Sequence, residues 1–295
     1  MRWCVLAFLS AMVLIAGCGG SGGAPASKPV RPFFAMDTGT KDAEHPSAKS
    51  QAMMLKELGY AGIGGTGTAG ITEMLAALDE NGLGLYALYM NLRLEAEQAV
   101  FDPDPTSILA QLQGRHTIIW FQTSPGPFRP SGTEADELLI AAMRDLADKA
   151  RPFGVKLAIY PHYGCYVQKV DDALRLAKKA DRDNVGISFN LCHWLRGEPD
   201  ADLEAAIQFA LPYLQVVSIN GADVDTDNWG RLIQPLGRGT FDVRQLLDVL
   251  DKHQWAGPVG LQGYGIPGPV RENLAESMRA WRKLNEPNHA SKDSK

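Results

Sequence analysis

The sequence predicts an α/β protein that folds as a single eight-stranded parallel barrel, (β/α)8, and two observations lead to this prediction. From Pro32 onward, short apolar runs alternate with amphipathic helical stretches, which is typical of parallel strands joined by crossover helices. Eight such units fit the roughly 250 residues of a closed barrel, whereas an open doubly wound sheet usually has fewer strands and a glycine-rich first turn. No linker-like stretch interrupts the pattern, so we expect one domain over residues 32–285.

Each predicted strand is followed by a predicted helix. The strands are expected at residues 33–36, 62–64, 84–89, 117–122, 156–160, 185–189, 215–219 and 259–262. Helical spacing of apolar residues predicts helices at 48–58, 71–80, 106–112, 134–150, 170–180, 202–210, 243–253 and 272–284. The glycine-rich residues 62–67 follow the second strand, and no ribose-binding acid follows them in a clear register. We therefore expect a tight turn there rather than a nucleotide-binding loop.

The N-terminus predicts an exported chain. Arg2, the apolar residues 5–15 and the small residues 16–17 have the order of a signal peptide, which we assign to residues 1–17. The apolar run is shorter than the roughly 20 residues of a membrane-spanning helix, so a transmembrane anchor is the weaker interpretation.

A lipid anchor is expected at the predicted cleavage site. Residues 14–18, Leu-Ile-Ala-Gly-Cys, resemble the bacterial lipobox, which implies lipidation of Cys18; an ordinary secretory signal is the alternative. Gly19 stands where an inner-membrane retention signal would place Asp, which implies the periplasmic face of the outer membrane. Residues 18–31 then predict a flexible tether, and the polar residues 286–295 predict a disordered tail.

Composition and charge exclude some classes of protein. The chain is 45% hydrophobic and 21% charged, which is ordinary for a globular protein and excludes a disordered one. Its formal net charge is -5 and it has no dense basic stretch, so nucleic acid is not an expected partner. Cys165 and Cys192 follow neighbouring strands, and a disulfide between them is conceivable in an oxidising compartment; we favour two separate thiols.

Polar side chains follow most of the predicted strands, where a β/α barrel has its functional mouth. His162 and His193 follow the fifth and sixth strands, and imidazole readily serves as acid or base near neutral pH, so both are predicted catalytic residues. The alternative is that they only hydrogen-bond loop carbonyls. The predicted substrate-binding residues are Asp37, Tyr160, Asn190, Trp194, Ser218, Asn220, Gln262 and Tyr264. Because most of these groups are neutral, we expect a hydroxyl-rich ligand, a small-molecule carbohydrate.

Two segments around these histidines carry a family resemblance. Residues 155–162, Val-Lys-Leu-Ala-Ile-Tyr-Pro-His, and 184–193, Asn-Val-Gly-Ile-Ser-Phe-Asn-Leu-Cys-His, resemble the xylose isomerase-like TIM barrel (sugar phosphate isomerase/epimerase) family. Residues 58–63 and 236–242 add to the resemblance, which spans nearly the whole mature chain. It implies keto-sugar chemistry, and it implies that His193 contacts a substrate oxygen.

The resemblance also implies a site for a divalent metal, but this sequence lacks the family's ligand residues. Family members hold the metal with Glu, Asp, His and Glu, and the matching positions here carry Tyr160, Asn190, Ser218 and Gln262. None of these side chains is a carboxylate or imidazole, so no cofactor is expected. The alternative is a zinc or manganese site in which His162 and His193 pair with Asp37 or Asp223.

These observations leave several functions open. The first is a metal-independent isomerase, epimerase, lyase or hydratase acting on a sugar, and the second is a non-catalytic carbohydrate-binding pseudoenzyme. A glycoside hydrolase is disfavoured because no strand from the fourth to the eighth ends directly in an acid. Arg231 and Arg238 are expected either to bind a phosphate or carboxylate or to brace the loop after the seventh strand.

Overall fold

The computed structural model describes residues 28–286. The predicted signal peptide, Cys18, most of the tether and residues 287–295 lie outside this range. Arg31, which we assigned to the tether, is buried and donates hydrogen bonds to Asp251 (2.5 Å) and to the carbonyl of Trp255 (2.8 Å), so the folded part begins before residue 32. No helix within the described range has the length and apolar character needed to cross a membrane.

Nine strands of the described range form one sheet. They are β1 (Phe33–Met36), β2 (Gly62–Thr66), β3 (Gly84–Leu94), β4 (Ala99–Asp102), β5 (Ile118–Ser124), β6 (Lys156–Ile159), β7 (Val185–Asn190), β8 (Leu214–Ile219) and β9 (Val259–Leu261). All except β4 pair in parallel, in the order β1-β2-β3-β5-β6-β7-β8-β9, and β9 pairs with β1. The ring is closed, which confirms the predicted (β/α)8 barrel.

Helices surround this ring. They are α1 (Ala48–Leu58), α2 (Ile71–Asn81), α3 (Asp136–Ala150), α4 (Val170–Ala180), α5 (Leu191–Gly197), α6 (Leu203–Ala210), α7 (Trp229–Leu232), α8 (Val243–Lys252) and α9 (Val270–Asn285). Short 3-10 helices span Asp37–Gly39, Pro105–Leu112 and Arg151–Phe153. The helix predicted at 106–112 is thus a 3-10 helix, and α5 and α7 were not predicted.

A hairpin on β3 also differs from the prediction. β3 continues to Leu94 and pairs antiparallel with β4, with Leu92 opposite Phe101. Leu92 is buried, and Phe101 packs edge-on against Phe121, with ring centroids 5.1 Å apart. This apolar contact stabilises strand pairing beyond the barrel wall.

The strand predicted at residues 62–64 is confirmed, but it extends two residues into the predicted turn. β2 runs to Thr66, and Gly67 is the first residue of the segment with a positive φ, 66°. A Cβ on Gly64 would lie 2.5 Å from the sulfur of Met36 and 2.8 Å from the ring of Phe34. Glycine is therefore required because β2 lies against bulky side chains inside the barrel.

The core has two layers, and the inner one determines the depth of the mouth. Phe34, Met36, Trp120 and Tyr160 fill the barrel interior, and a larger apolar layer lies between strands and helices. Tyr160 directly follows β6, and its ring centroid lies 5.1 Å from Trp120 and 5.3 Å from Tyr89. A ligand at the mouth must therefore lie above Tyr160.

Candidate active site

Two imidazoles lie in contact at the C-terminal ends of β6 and β7. The ring centroids of His162 and His193 are 3.9 Å apart, with 37° between the ring planes. His193 is in the first turn of α5 and is 7% exposed, and Tyr160 contacts it edge-on at 5.6 Å. The structure thus brings together the two predicted catalytic residues above the inner core.

The surroundings of His162 determine its tautomer. Its Nδ1 lies 2.9 Å from the carbonyl oxygen of Tyr163, which can only accept a hydrogen bond, so Nδ1 carries the hydrogen. The thiol of Cys165 lies 3.3 Å from Nδ1 and donates to Oε1 of Gln122 (2.6 Å). This tautomer leaves the lone pair on Nε2 of His162, the form required of a proton acceptor. The predicted loop-carbonyl contact is therefore present and is compatible with a catalytic role.

Burial keeps both imidazoles neutral. It lowers the pKa of His162, an effect that the hydrogen bond to Tyr163 partly opposes. It lowers the pKa of His193 further, with the neighbouring His162 as the second cause. The Nδ1 atom of His193 is buried and has no hydrogen-bonding partner within residues 28–286. At neutral pH His162 is therefore a neutral imidazole with a free lone pair on Nε2, whereas burial makes His193 the weaker base.

The four residues that the resemblance assigns to the metal-ligand positions form a neutral cluster. Ser218 donates to Oδ1 of Asn190 (3.0 Å), and Nδ2 of Asn190 donates to the carbonyl of Pro161 (3.2 Å). The Tyr160 hydroxyl interacts with Ser218 and Gln262, and burial raises the pKa of Tyr160 well above its ordinary value. A hard divalent cation prefers anionic oxygen ligands, and these side chains offer none. The residues at the expected site therefore do not fit the metal.

The alternative mixed metal site is not assembled either. Asp37 accepts hydrogen bonds from the amide and hydroxyl of Thr66, both at 2.7 Å, and Asp223 binds Arg231 at 2.8 Å. Among the described residues, no group of three or more His, Cys, Asp or Glu side chains is arranged to hold a metal ion.

Asp37 still supplies a carboxyl group at the mouth. It follows β1, which stands opposite β6 in the ring, so it lies across the mouth from the imidazole pair. Burial raises its pKa, and the two hydrogen bonds from Thr66 oppose this shift.

Three predicted substrate-binding residues have other surroundings. Asn220 is fully buried and its amide braces the following loop by donating to the carbonyls of Gly221 (2.8 Å) and Leu232 (2.7 Å). Trp194 is 7% exposed and packs against Phe189 in the outer core layer. Tyr264 is 67% exposed at the rim. Asn220 and Trp194 therefore have structural contacts rather than a free place in the mouth.

Both described cysteines are free thiols. Cys165 and Cys192 are buried, and burial raises the pKa of each to about 12. They are thus protonated at neutral pH, which makes neither of them a ready nucleophile.

An arginine and two aromatic rings at the rim were not predicted as a group. The guanidinium of Arg196 lies 5.0 Å from the ring centre of Tyr163 and 5.6 Å from that of Trp229. Trp229 also contacts His193 edge-on at 5.3 Å. One sequence signal was present, since Arg196 follows His193 by three residues, but it is informative only if these residues are helical.

The sequence model of one family, described as xylose isomerase-like TIM barrel, matches residues 54–284. The chain belongs to this family. A search of curated proteins finds no match.

Solved structures share the fold of this xylose isomerase-like barrel. A 3-keto-D-glucoside 4-epimerase, YcjR, from E. coli is 18% identical, with 86% of this chain and 99% of that chain covered and a TM-score of 0.67. A D-allulose 3-epimerase from Methylomonas sp., in complex with D-allulose, is 17% identical, with 88% of this chain and 98% of that chain covered and a TM-score of 0.64. A xylose isomerase-like TIM barrel protein from Mycobacterium smegmatis, in complex with magnesium, is 19% identical, with 88% of this chain and 96% of that chain covered and a TM-score of 0.62. At these identities the likeness shows the fold alone.

Proposed function

We propose that this protein is a carbohydrate-active isomerase or epimerase, or a keto-sugar lyase or hydratase, that works without the divalent metal site of its family. The observation that carries the proposal is the contact between His162 and His193, with ring centroids 3.9 Å apart, beside a neutral cluster at the positions that the family resemblance assigns to metal ligands. The fold neighbours named above include two sugar epimerases, which supports the class of substrate.

The proposed chemistry begins with proton removal beside a sugar carbonyl. Nε2 of neutral His162 accepts the proton, because its Nδ1 is committed to the carbonyl of Tyr163. The negative charge that develops on the carbonyl oxygen needs hydrogen-bond donors. Gln262 and the protonated hydroxyl of Tyr160 are suitable donors, since the amide of Asn220 is engaged with loop carbonyls.

The later step decides between the two reaction classes. Return of the proton to the same carbon from the opposite face gives an epimer, and the carboxyl group of Asp37 lies across the mouth from the imidazoles. Loss of a hydroxyl or alkoxyl group from the next carbon gives elimination instead, and the proton that His162 has taken up then passes to that leaving group.

A second candidate is a sugar-binding protein without catalytic activity. It is favoured by one observation, which is that Ser218 and Asn190 hydrogen-bond to each other instead of presenting free donors and acceptors. Such a protein would bind a sugar above Tyr160 and leave it unchanged.

Deuterium exchange separates the two candidates without knowledge of the product. The full chain is incubated in deuterium oxide containing EDTA with a panel of ketoses and 3-keto-glucosides, and loss of the proton beside the carbonyl is followed by NMR. We expect exchange with at least one sugar, and a decrease of about 10²–10⁴-fold in His162→Asn. His116→Asn, which changes an exposed loop histidine, is the matched control and should keep the wild-type rate. Binding without exchange would favour the sugar-binding protein.

We also propose that the barrel is exported and anchored by a lipid on Cys18 at the periplasmic face of the outer membrane, with residues 18–27 as tether. The lipobox-like residues 14–18 support this. Metabolic labelling with a radioactive fatty acid should mark the wild type and not Cys18→Ser; equal labelling would refute the anchor, and label in the inner-membrane fraction would refute the location.

A further inference from the structure

Arg196 occupies a corner of the mouth beside the imidazole pair. It lies in α5, one helical turn after His193, and its guanidinium packs against the rings of Tyr163 (5.0 Å) and Trp229 (5.6 Å). These rings follow β6 and β8, so the loops after three neighbouring strands meet around this cation. Trp229 also contacts His193, with ring centroids 5.3 Å apart.

The positive charge of Arg196 is poorly matched by its own chain. Its side chain is 19% exposed, and the Nη1 atom is buried without a hydrogen-bond partner among the described residues. The carboxylate of Asp227 reaches Nη1 only at 3.5 Å, longer than a charge-assisted hydrogen bond, and the Asp227 side chain is 91% exposed. A solvated, distant counter-ion of this kind is readily displaced by a better-placed anion.

The two arginines of the loop after β8 are already paired. Arg231 binds Asp223 at 2.8 Å, and Arg238 binds Glu276 through two hydrogen bonds of 2.6 Å. Both therefore brace the loop after β8. Arg196, rather than Arg231 or Arg238, is then the candidate for binding an anion.

We propose that Arg196 binds the carboxylate of the substrate, which makes that substrate a sugar acid rather than a neutral sugar. The planar edge of a guanidinium matches a carboxylate with two parallel hydrogen bonds. Tyr163 and Trp229 flank it with half-exposed rings that can cover the apolar face of a sugar. A single arginine next to an acidic residue suits a monoanion better than a doubly charged phosphate. This inference rests on the proposed function, because it takes the mouth to be the sugar site.

Calorimetric binding to three matched pairs tests the proposal: glucuronate with glucose, galacturonate with galactose, and mannuronate with mannose. Each pair differs only at the sixth carbon. We expect the full chain to bind at least one acid about tenfold more tightly than its neutral partner, as a charge-assisted hydrogen bond provides. Equal affinity in all three pairs, or no binding of any acid, would overturn the proposal, as would tighter binding of glucose 6-phosphate than of every acid.

Three variants assign the preference to Arg196. Arg196→Met keeps an unbranched stem and should abolish the preference, and Arg238→Met should keep it. Asp227→Asn removes the competing carboxylate and should tighten binding of the acid, a gain that misfolding cannot produce. A preference that survives Arg196→Met, or an acid that binds more weakly to Asp227→Asn, would contradict the proposal.

Failure of the inference and failure of the proposed function give different results. If sugar acids bind through Arg196 but no keto-sugar exchanges deuterium, the carboxylate site is supported and the catalytic proposal is refuted. If neutral sugars exchange deuterium in a way that depends on His162 but acids are not preferred, the catalytic proposal is supported and the carboxylate site is refuted.

Discussion

Removal of the His193 imidazole is expected to reduce the dependence of stability on pH. Burial, with His162 as the second cause, lowers the pKa of His193 well below its ordinary value of 6.5. Between this lowered pKa and 6.5, the unfolded chain therefore binds a proton at this residue, whereas the folded chain does not. Because the unfolded state binds more protons, the free energy of unfolding decreases as the pH falls below 6.5 and continues to decrease until the folded pKa is reached.

The size of this effect follows from the two protonation states. A histidine that titrates near 6.5 when unfolded and stays neutral when folded lowers the free energy of unfolding by about 1.4 kcal/mol between pH 7.5 and pH 5.5. Urea unfolding followed by tryptophan fluorescence measures this loss. We expect the loss to be smaller by about 1.4 kcal/mol in His193→Gln than in the wild type.

Comparing the loss of stability between the two pH values in the wild type and in His193→Gln removes contributions from other groups. Any change in stability that His193→Gln causes at both pH values cancels, as do contributions from carboxyl groups elsewhere. His116→Gln changes an exposed histidine and should retain the pH dependence of the wild type. If His193→Gln also retained it in full, the conclusion that burial holds this imidazole neutral would be refuted.

Three further predictions concern the scaffold. Trp120→Ala should lower the free energy of unfolding by about 3–5 kcal/mol, because this indole fills the barrel interior; a loss below 1 kcal/mol in urea unfolding would contradict that packing. Asp136→Ala should cost about 3 kcal/mol in the same assay, because it leaves the partly buried Arg175 without one of its two carboxylate partners; an unchanged midpoint would argue against this ion pair. Cys165 and Cys192 should react with a thiol reagent only after unfolding, and failure to react in denaturant would indicate a disulfide.

The sequence predicted the barrel because its strands and helices have different apolar periods. All eight barrel strands were located, since each is a short apolar run between helical stretches. The hairpin partner β4 was missed because four residues do not establish an alternating pattern, and its pairing depends on the contact between Phe101 and Phe121. β2 was shortened because glycine usually signals a turn, and only the barrel interior shows why it is needed in a strand.

The candidate site was predicted in part, for a different physical reason. The strand ends place His162 and His193 at the mouth, and no packing information was needed for that. Trp194 and Asn220 were also at strand ends, but α5 turns Trp194 toward the outer layer and loop carbonyls engage Asn220. Arg196 was missed because its ring neighbours come from the loops after two other strands, and such contacts exist only in the closed fold.

Neutral hydrogen-bonding groups stand at the four positions that the family resemblance assigns to the ligands of a divalent cation. Crystals of the full chain soaked in manganese can be examined by anomalous diffraction. We expect no anomalous peak among Tyr160, Asn190, Ser218 and Gln262, and a hydrogen bond between Ser218 and Asn190 near 3.0 Å. A manganese peak coordinated by these side chains would contradict it.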